Sequence, residues 1–248
     1  MMISKWLLTG DLHGDFSRFY KIQQLAQEGS ETWGVIILGD ASVNFWLSKR
    51  DKVLKHRIYH KYPNLQFYLL RGNHETRPQN ISTIHLEYDA NVWGDCYREE
   101  DYPNIHYLID GQVYTFGDYN TLCLGGAYSV DKYWRLECQA MGNYAGWFPD
   151  EQLSKEEMQE ITNQVKGKSF DFIFSHTCPL SFQPTDLFLS CIDQSSVDNS
   201  MEIWLEELKD QVQWKTWCFG HYHEDRIIHM NPHIRMFFHD IVELEELI

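Results

Sequence analysis

The sequence predicts an α/β fold with two stacked mixed β-sheets flanked by helices, in a single domain that covers residues 1–248. The first 70 residues alternate short apolar segments with amphipathic ones, which is the strand–helix order of a parallel sheet. The middle of the chain changes to closely spaced strand-like segments separated by turn residues. With 248 residues and 43% hydrophobic side chains, the chain can bury a core without disulfides or a structural metal.

The amino-terminal part predicts three strands, which are short apolar segments at residues 6–9, 35–38 and 65–70. Two helices are predicted between these strands, at residues 16–27 and 48–62. Ser48 and Asp51 have the spacing of a capping-box pair at the start of the second helix.

The rest of the chain predicts a hairpin region and then further alternation of helices and strands. Hairpin strands are expected at 105–108, 112–116 and 121–124. An Asp110-Gly111 turn would join the first two of them. Helices are expected at 154–166 and 201–212, and the remaining strands at 170–174, 215–219, 227–229 and 235–238.

Composition excludes several classes of protein. The formal net charge is −15 and no basic run is present, which argues against binding to extended duplex nucleic acid. No apolar run approaches the roughly 18 residues of a membrane span, and the first apolar run is too short for a signal peptide. The six cysteines lie far apart with no C-x-x-C pair, so we expect reduced thiols in a cytoplasmic protein.

Five of the predicted strands end in short polar clusters. In open α/β sheets, ligands bind beyond the carboxyl ends of the strands, so these clusters should meet at one rim. The clusters are Gly10-Asp11-Leu12-His13, Gly39-Asp40, Arg71-Gly72-Asn73-His74-Glu75, Ser175-His176 and Gly220-His221-Tyr222-His223.

Seven side chains in the clusters are candidate metal ligands: Asp11, His13, Asp40, Asn73, His176, His221 and His223. Asp, His and Asn are oxygen and nitrogen ligands that suit manganese, iron or zinc. Seven ligands exceed the three or four of one zinc site and suit two ions about 3.5–4 Å apart, with Asp40 as the natural bridge. One such residue alone is more often structural, but five clusters of one chemical type favour a metal centre.

Together the five clusters resemble the calcineurin-like metallophosphoesterases in order and spacing, over residues 6–223. Segments 125–131 and 147–151, with Arg135 between them, further resemble a bacterial and phage-borne branch. The resemblance implies the α/β/β/α sandwich of that superfamily. It also implies a phosphoesterase with two divalent transition-metal ions, manganese first and iron or zinc as alternatives.

The resemblance also assigns roles to individual residues. By resemblance, the first metal would be held by Asp11, His13, Asp40 and His223, and the second by Asp40, Asn73, His176 and His221. A hydroxide between the ions would attack phosphorus in line. His74 would protonate the leaving oxygen or stabilise its charge, and an imidazole titrates in the useful pH range.

One motif departs from the protein Ser/Thr phosphatases of the superfamily, which carry Gly-Asp-x-Val-Asp-Arg-Gly after the second strand. This chain has Gly-Asp-Ala-Ser-Val-Asn-Phe at 39–45, so the Asp that orients the catalytic His and the phosphate-binding Arg are absent. Asn44 is interpreted either as a residue near the metals or as a turn residue. Arg135 is the candidate for the missing cation, with a surface arginine as the alternative. Arg77 and Lys132 are expected to be solvated.

We therefore expect a two-metal phosphoesterase for a small phosphorylated substrate or nucleotide. Phosphodiesters and small nucleotides are favoured over phosphomonoesters and phosphoproteins. A non-catalytic interaction module on the same scaffold is the alternative from another class, but such modules usually lose ligands and none is lost here. The loop at 177–199 should influence substrate choice. Three aromatic residues should form the small core of a lid or stack on a base: Tyr128, Tyr133 and Trp134.

Overall fold

The computed structural model describes residues 2–143 and 146–248. Its strands are, in chain order, β1 (Lys5–Thr9), β2 (Trp33–Ile37), β3 (Leu65–Leu69), β4 (His85–Asp89), β5 (Gly94–Arg98), β6 (Ile105–Tyr107), β7 (Val113–Phe116), β8 (Tyr119–Leu124), β9 (Ser169–Ser175), β10 (Gln213–Phe219), β11 (Arg226–Met230), β12 (His233–Met236) and β13 (Ile241–Glu243). Its α-helices are α1 (Tyr20–Glu28), α2 (Lys49–Lys61), α3 (Lys132–Ala140), α4 (Lys155–Val165) and α5 (Ser200–Lys209). None of the described helices is both long enough and apolar enough to cross a membrane.

The strands form two mixed sheets, as the sequence predicts. The first sheet has the order β13-β1-β2-β3-β6-β5-β4, in which β1, β2, β3 and β6 are parallel. The second has the order β11-β12-β10-β9-β8-β7, in which β8, β9, β10 and β12 are parallel. Each sheet therefore presents a set of parallel strand ends, which is the arrangement that brings the polar clusters together.

Three apolar layers hold the sheets and helices together. Alternate residues of one strand enter different layers, because successive side chains of a strand point to opposite faces. Ile36 of β2 packs between the two sheets with Phe174 of β9, whereas Val35 packs on the outer face with Phe19 and Ile58. A third layer joins the second sheet to α4 and α5. The predicted fold class, two sheets flanked by helices, is confirmed.

The predicted hairpin between residues 105–108 and 112–116 is wrong. β6 pairs with β3 and β5 in the first sheet, while β7 pairs with β8 in the second. The Asp110-Gly111 turn thus carries the chain from one sheet to the other. Gly111 has a φ of +81°, and a Cβ there would lie 2.4 Å from the Ile161 side chain, so this crossing requires glycine.

The helix caps are only partly as predicted. Ser48 caps α2 by accepting from the backbone N–H of Arg50, but Asp51 accepts from the N–H groups of Trp46 and Leu47 instead of closing a capping box. At the start of α4, Ser154 and Glu157 do form both hydrogen bonds of a capping box.

A buried ion pair fastens α2 to the first sheet. The Lys55 ammonium contacts Glu99 and donates to Asn44 Oδ1 at 3.0 Å, and both side chains of the pair are at least 93% buried. Glu99 also accepts from the hydroxyls of Thr83 and Tyr107 at 3.0 and 3.1 Å.

We expect Lys55→Met to lower the free energy of unfolding by about 3–5 kcal/mol, because it leaves the Glu99 carboxylate buried without its partner. Lys52→Met, at an exposed position of the same helix, should change it by less than about 0.5 kcal/mol. Urea unfolding followed by circular dichroism measures both. Equal, small losses would mean that the buried pair does not stabilise the fold.

Candidate metal centre

The five polar clusters do meet at one rim, formed by the carboxyl ends of β1, β2, β3, β9 and β10. Contacts between side chains and main chain tie the clusters of the two sheets to each other. The His176 ring contacts the Leu38 carbonyl at 2.7 Å, and the backbone N–H of His221 donates to Asp11 Oδ1 at 3.0 Å. Within the first sheet, the N–H of His13 donates to the Asp40 carbonyl at 2.8 Å.

The backbone at this rim is held in a conformation that side chains rarely adopt. Four of the seven predicted ligands have φ between +47° and +69°, in the left-handed region that favours glycine: His13, Asp40, His221 and His223. Residues held there against their preference are typical of functional sites. Gly72 has no room for a side chain, since a Cβ would lie 1.9 Å from Asp40 Oδ1.

The first group of ligand atoms gathers around Asp11. Asp11 is fully buried, and its Oδ2 has no hydrogen-bond partner among the described residues. That oxygen lies 3.3 Å from His223 Nε2 and 3.8 Å from His13 Nε2, and these two ring nitrogens are 2.8 Å apart. An orphaned buried carboxylate oxygen facing two imidazole nitrogens fits a divalent cation, because an unpaired buried charge is costly.

The second group gathers around Asp40, which is 1% exposed. Its Oδ2 lies 3.7 Å from Nε2 of His176, while the Asn73 Oδ1 approaches the same ring nitrogen to 2.9 Å. The His221 ring packs against that of His176, with centroids 5.0 Å apart. Carboxylate oxygens of Asp11 and Asp40 and a nitrogen of His176 lie within 4.8 Å of one another, so the two groups adjoin.

The protonation states suit metal ligation. Burial would raise the pKa of Asp40, but the imidazoles of His74, His176 and His13 hold that pKa below its ordinary value. Burial lowers the pKa of His221 to about 3, which leaves a neutral ring at pH 7. The nearby Asp11 carboxylate, 3.3 Å from His223 Nε2, raises the pKa of His223. Asp40 and His221 are thus in the forms that bind metals, an ionised carboxylate and a neutral imidazole.

His74 lies beside these ligands. Its backbone N–H donates to Asp40 Oδ1 at 2.8 Å, and its Nε2 is 3.7 Å from Asp40 Oδ2. Burial lowers the pKa of His74, and the nearby Arg135 cation lowers it further. The ring also lines the pocket above the centre.

That pocket has a volume of about 620 Å³, and five of the seven predicted ligands line it together with His74: His13, Asp40, Asn73, His221 and His223. Phe45 and Trp46 form one wall, and the 128–135 segment forms another. The third wall comes from the predicted loop at 177–199, through residues that include Leu187, Phe188 and Ile192. The loop therefore lies where it can contact whatever binds above the ligand cluster.

Arg135 lies on α3 in the pocket wall. Its Nε donates to Asp131 Oδ1 at 2.8 Å, and a terminal nitrogen donates to the Gly146 carbonyl at 2.9 Å. The side chain is 11% exposed and its guanidinium lies 5.9 Å from the Phe45 ring. Arg135 is thus a buried cation of the pocket and not a surface residue.

Arg77 and Asn44 are both buried near the pocket-side ends of the first sheet's strands. Arg77 is buried, where it binds the Glu157 carboxylate and backbone carbonyls, so its predicted solvation is wrong. Asn44 accepts from Lys55 and from the N–H of Thr76, which supports its interpretation as a turn residue.

The predicted lid core is wrong for two of its three aromatic residues. Tyr133 and Trp134 are about 60% exposed, whereas Tyr128 is buried in the pocket wall. Lys132, predicted to be solvated, is half-buried, and its ammonium lies 4.5 Å from the centroid of the Trp147 ring.

Sequence reasoning missed Ser129 and Asp131, which also line the pocket. The available signal was their place in the 125–131 segment, which follows β8. The sequence provides no means of telling which side chains of that segment turn inward.

Comparisons with known proteins agree with this geometry. The family model described as calcineurin-like phosphoesterase matches residues 4–225. Serine/threonine-protein phosphatase ppe1 of Schizosaccharomyces pombe is 29% identical over 134 residues, half of this chain and 39% of that protein. The serine/threonine-protein phosphatase 4 catalytic subunit of Eremothecium gossypii is 30% identical over 132 residues, with the same coverage.

A third relative is the serine/threonine-protein phosphatase 6 catalytic subunit of Drosophila melanogaster. It is 27% identical over 190 residues, 71% of this chain and 58% of that protein. The chain thus spans about two fifths to three fifths of the length of these relatives. The family model covers nearly the whole chain, including all five clusters. The family implies a centre of two divalent metals, and this chain has candidate ligand groups for it. The chain therefore belongs to the calcineurin-like phosphoesterases, a family of metal-dependent hydrolases.

Proposed function

We propose that the protein hydrolyses small phosphate esters, with phosphodiesters and small nucleotides as its preferred substrates. The observation that carries this proposal is that the two adjoining ligand groups, around Asp11 and Asp40, both contribute side chains to the lining of one pocket. The pocket's apolar walls could hold a ring, and its volume of about 620 Å³ lies in the range of small-molecule sites.

The proposed metal ligands divide into two sets that share Asp40. One set consists of Asp11, His13, Asp40 and His223, and the other of Asp40, Asn73, His176 and His221. Manganese suits these ligands, and iron or zinc are alternatives. Two bound divalent ions would supply positive charge beside the phosphoryl oxygens and activate water as the nucleophile.

His74 and Arg135 are the proposed residues that act on the substrate itself. His74 would donate a hydrogen bond or a proton to the leaving oxygen, because it lies beside Asp40 on the pocket floor. The negative charge of a bound ester would favour the protonated ring, which burial alone disfavours. Arg135 would bind non-bridging oxygens and so take the place of the arginine that the motif at 39–45 lacks.

Preference for a phosphodiester follows from the charges around Arg135. Its guanidinium already pairs with Asp131 at 2.8 Å, so part of its charge is compensated before substrate binds. A diester carries one negative charge and needs less compensation than a monoester dianion. The matched protein phosphatases favour the alternative, a phosphomonoester or phosphoprotein substrate.

We also propose that the protein acts in the cytoplasm. All six cysteines are free thiols, and four of them are buried. Buried free thiols are typical of proteins that fold in a reducing compartment.

Asp40→Asn should abolish activity and remove at least one of two bound ions, since the variant loses the shared carboxylate charge. Metal content per chain, measured by mass spectrometry after dialysis against Mn²⁺, and steady-state rates test this. Asp171→Asn, a carboxylate on β9 that pairs with Lys215, is the matched control. Two ions and full activity in Asp40→Asn would contradict the shared role.

His74→Ala should keep both metals and lose roughly 10²- to 10⁴-fold in rate, the usual size of a general-acid contribution. The loss should shrink for nitrophenyl esters, because a good leaving group needs little protonation. His60→Ala, at an exposed position on α2, should have the wild-type rate. Equal losses for nitrophenyl and alkyl esters would assign His74 a structural role only.

Arg135→Ala should lower kcat/KM for monoesters roughly 10- to 100-fold, the cost of one charge-assisted phosphate contact, with a smaller loss for diesters. Metal content should not change. Arg57→Ala, an exposed arginine of α2, is the control. Unchanged kcat/KM for both ester classes would exclude Arg135 from phosphate binding.

Trp46→Ala should lower kcat/KM for nucleotide esters by roughly 10- to 100-fold, since one base–aromatic stacking contact contributes about 1–3 kcal/mol. Esters with only small alkyl groups should be unaffected. Trp93→Ala, a 73% exposed tryptophan outside the pocket lining, serves as the comparison. Equal effects on both substrate types would argue against a ring-binding wall.

A further inference from the structure

A chain of buried hydrogen bonds fixes the orientation of the Asn73 amide. Its Nδ2 donates to Ser129 Oγ at 2.9 Å, which turns its Oδ1 toward His176 Nε2, 2.9 Å away. The Ser129 hydroxyl in turn donates to Glu151 Oε2 at 2.6 Å, and the Ser129 backbone N–H donates to Glu151 Oε1 at 3.0 Å. Asn73, Ser129 and Glu151 are each at most 3% exposed.

The direction of each hydrogen bond in this series follows from the Glu151 carboxylate at its end. An ionised Glu151 only accepts, and the backbone N–H of Ser129 only donates. The single hydroxyl hydrogen of Ser129 is therefore used on Glu151, so its oxygen is left to accept from Asn73. The Asn73 amide must then present Nδ2 to Ser129 and keep Oδ1 on the side of His176.

The main chain of Glu151 is itself fixed by a hydrogen bond from a buried arginine. Its carbonyl accepts from the buried guanidinium of Arg71 at 2.6 Å, and Arg71 is anchored through Asp110 at 2.9 Å. Burial raises the pKa of Glu151, but the two hydrogen bonds from Ser129 favour its ionised form. The orientation of Asn73 is thus set by a rigid part of the fold.

We propose that Ser129 and Glu151 are positioning residues that hold the Asn73 amide oxygen toward a divalent metal. This inference rests on the proposed role of Asn73 as a ligand of the second ion. An inverted amide would present its NH₂ group, which carries positive partial charge, to the cation. Hydrogen-bond partners of metal ligands typically change metal affinity by about 10- to 100-fold when they are removed.

Glu151→Gln is the sharpest variant, because it conserves shape and reverses one hydrogen bond. The oxygen of the introduced amide must accept from the Ser129 N–H, so the NH₂ group of that amide donates to the Ser129 hydroxyl oxygen. The hydroxyl hydrogen is then directed at Asn73, which accepts it only with its own amide inverted. Ser129→Ala removes the same restraint by a simpler route and introduces no polar group.

Isothermal titration of the metal-free full chain with Mn²⁺ measures the outcome. Wild type should bind two ions, and each variant should bind one of them about 10- to 100-fold more weakly while the other is retained. Ser154→Ala, which removes the N-cap of α4, controls for a loss of stability without a change at the centre. If both variants bind two ions with wild-type affinity, the positioning role is overturned.

A rescue variant separates positioning from general damage. In Glu151→Gln, the further change Asn73→Asp should restore the weakened ion, because the new carboxylate accepts from Ser129 and still offers an oxygen to the metal. Asn73→Asp alone should bind that ion less well than the double variant, since two carboxylates then compete for one hydroxyl hydrogen. Equal affinity of the single Asn73→Asp variant and the double variant for that ion would overturn the inference. Failure of wild type to bind a second ion would instead contradict the proposed function.

Discussion

Burial of the Asp40 carboxylate is the constraint on which the rest of the centre depends. A buried charge is costly unless it is paired or hydrogen-bonded, and the imidazoles around Asp40 keep its pKa low. The adjacent Glu75 is also buried, and burial together with the Asp40 charge raises its pKa to about 8. Of these two neighbouring carboxyl groups, Asp40 is therefore the ionised one at neutral pH, and it lies where the two groups of proposed ligands adjoin.

The packing of the two sheets supports that constraint. Apolar residues between the sheets, such as Ile36 and Phe174, bring two sets of parallel strand ends to one rim. Close approach of Asp40 leaves no room for a side chain at Gly72, and Asp40 itself has a left-handed backbone conformation. The geometry of the centre is consequently a property of the whole sandwich, while the pocket walls come from segments that contribute little to its core.

The sequence predicted the parts of the structure that follow from local chemistry. Asp11, Asp40, Asn73, His176 and His221 each come directly after an apolar strand, and parallel strands of a sheet share one end, so their convergence was predictable. The strands β4 and β5 were not predicted. In β4, Leu86 and Tyr88 alternate with polar residues, but four of its five residues are exposed, so the strand is not one of the buried apolar segments from which the other strands were predicted. The pairing of β6 was predicted wrongly, since an apolar segment carries no mark of which sheet it will join.

Long-range polar contacts were beyond sequence reasoning for a different reason. From the sequence, Arg77 is expected at the surface. In the fold it is buried because α4 and the 150–152 segment surround it. The chain from Glu151 through Ser129 to Asn73 joins residues that are 22 and 56 positions apart, and no periodicity links them. Such contacts depend on how loops pack after the sheets have formed, and here they lie next to the proposed ligands.

We propose that one rim holds two divalent ions close enough to share the Asp40 carboxylate. Electron paramagnetic resonance of the Mn²⁺-loaded protein tests it directly, because two Mn²⁺ ions about 3.5–4 Å apart with a bridging ligand are magnetically coupled. We expect two Mn²⁺ per chain and a coupled spectrum. One ion per chain, or two ions that give only the six-line spectrum of isolated Mn²⁺, would contradict it.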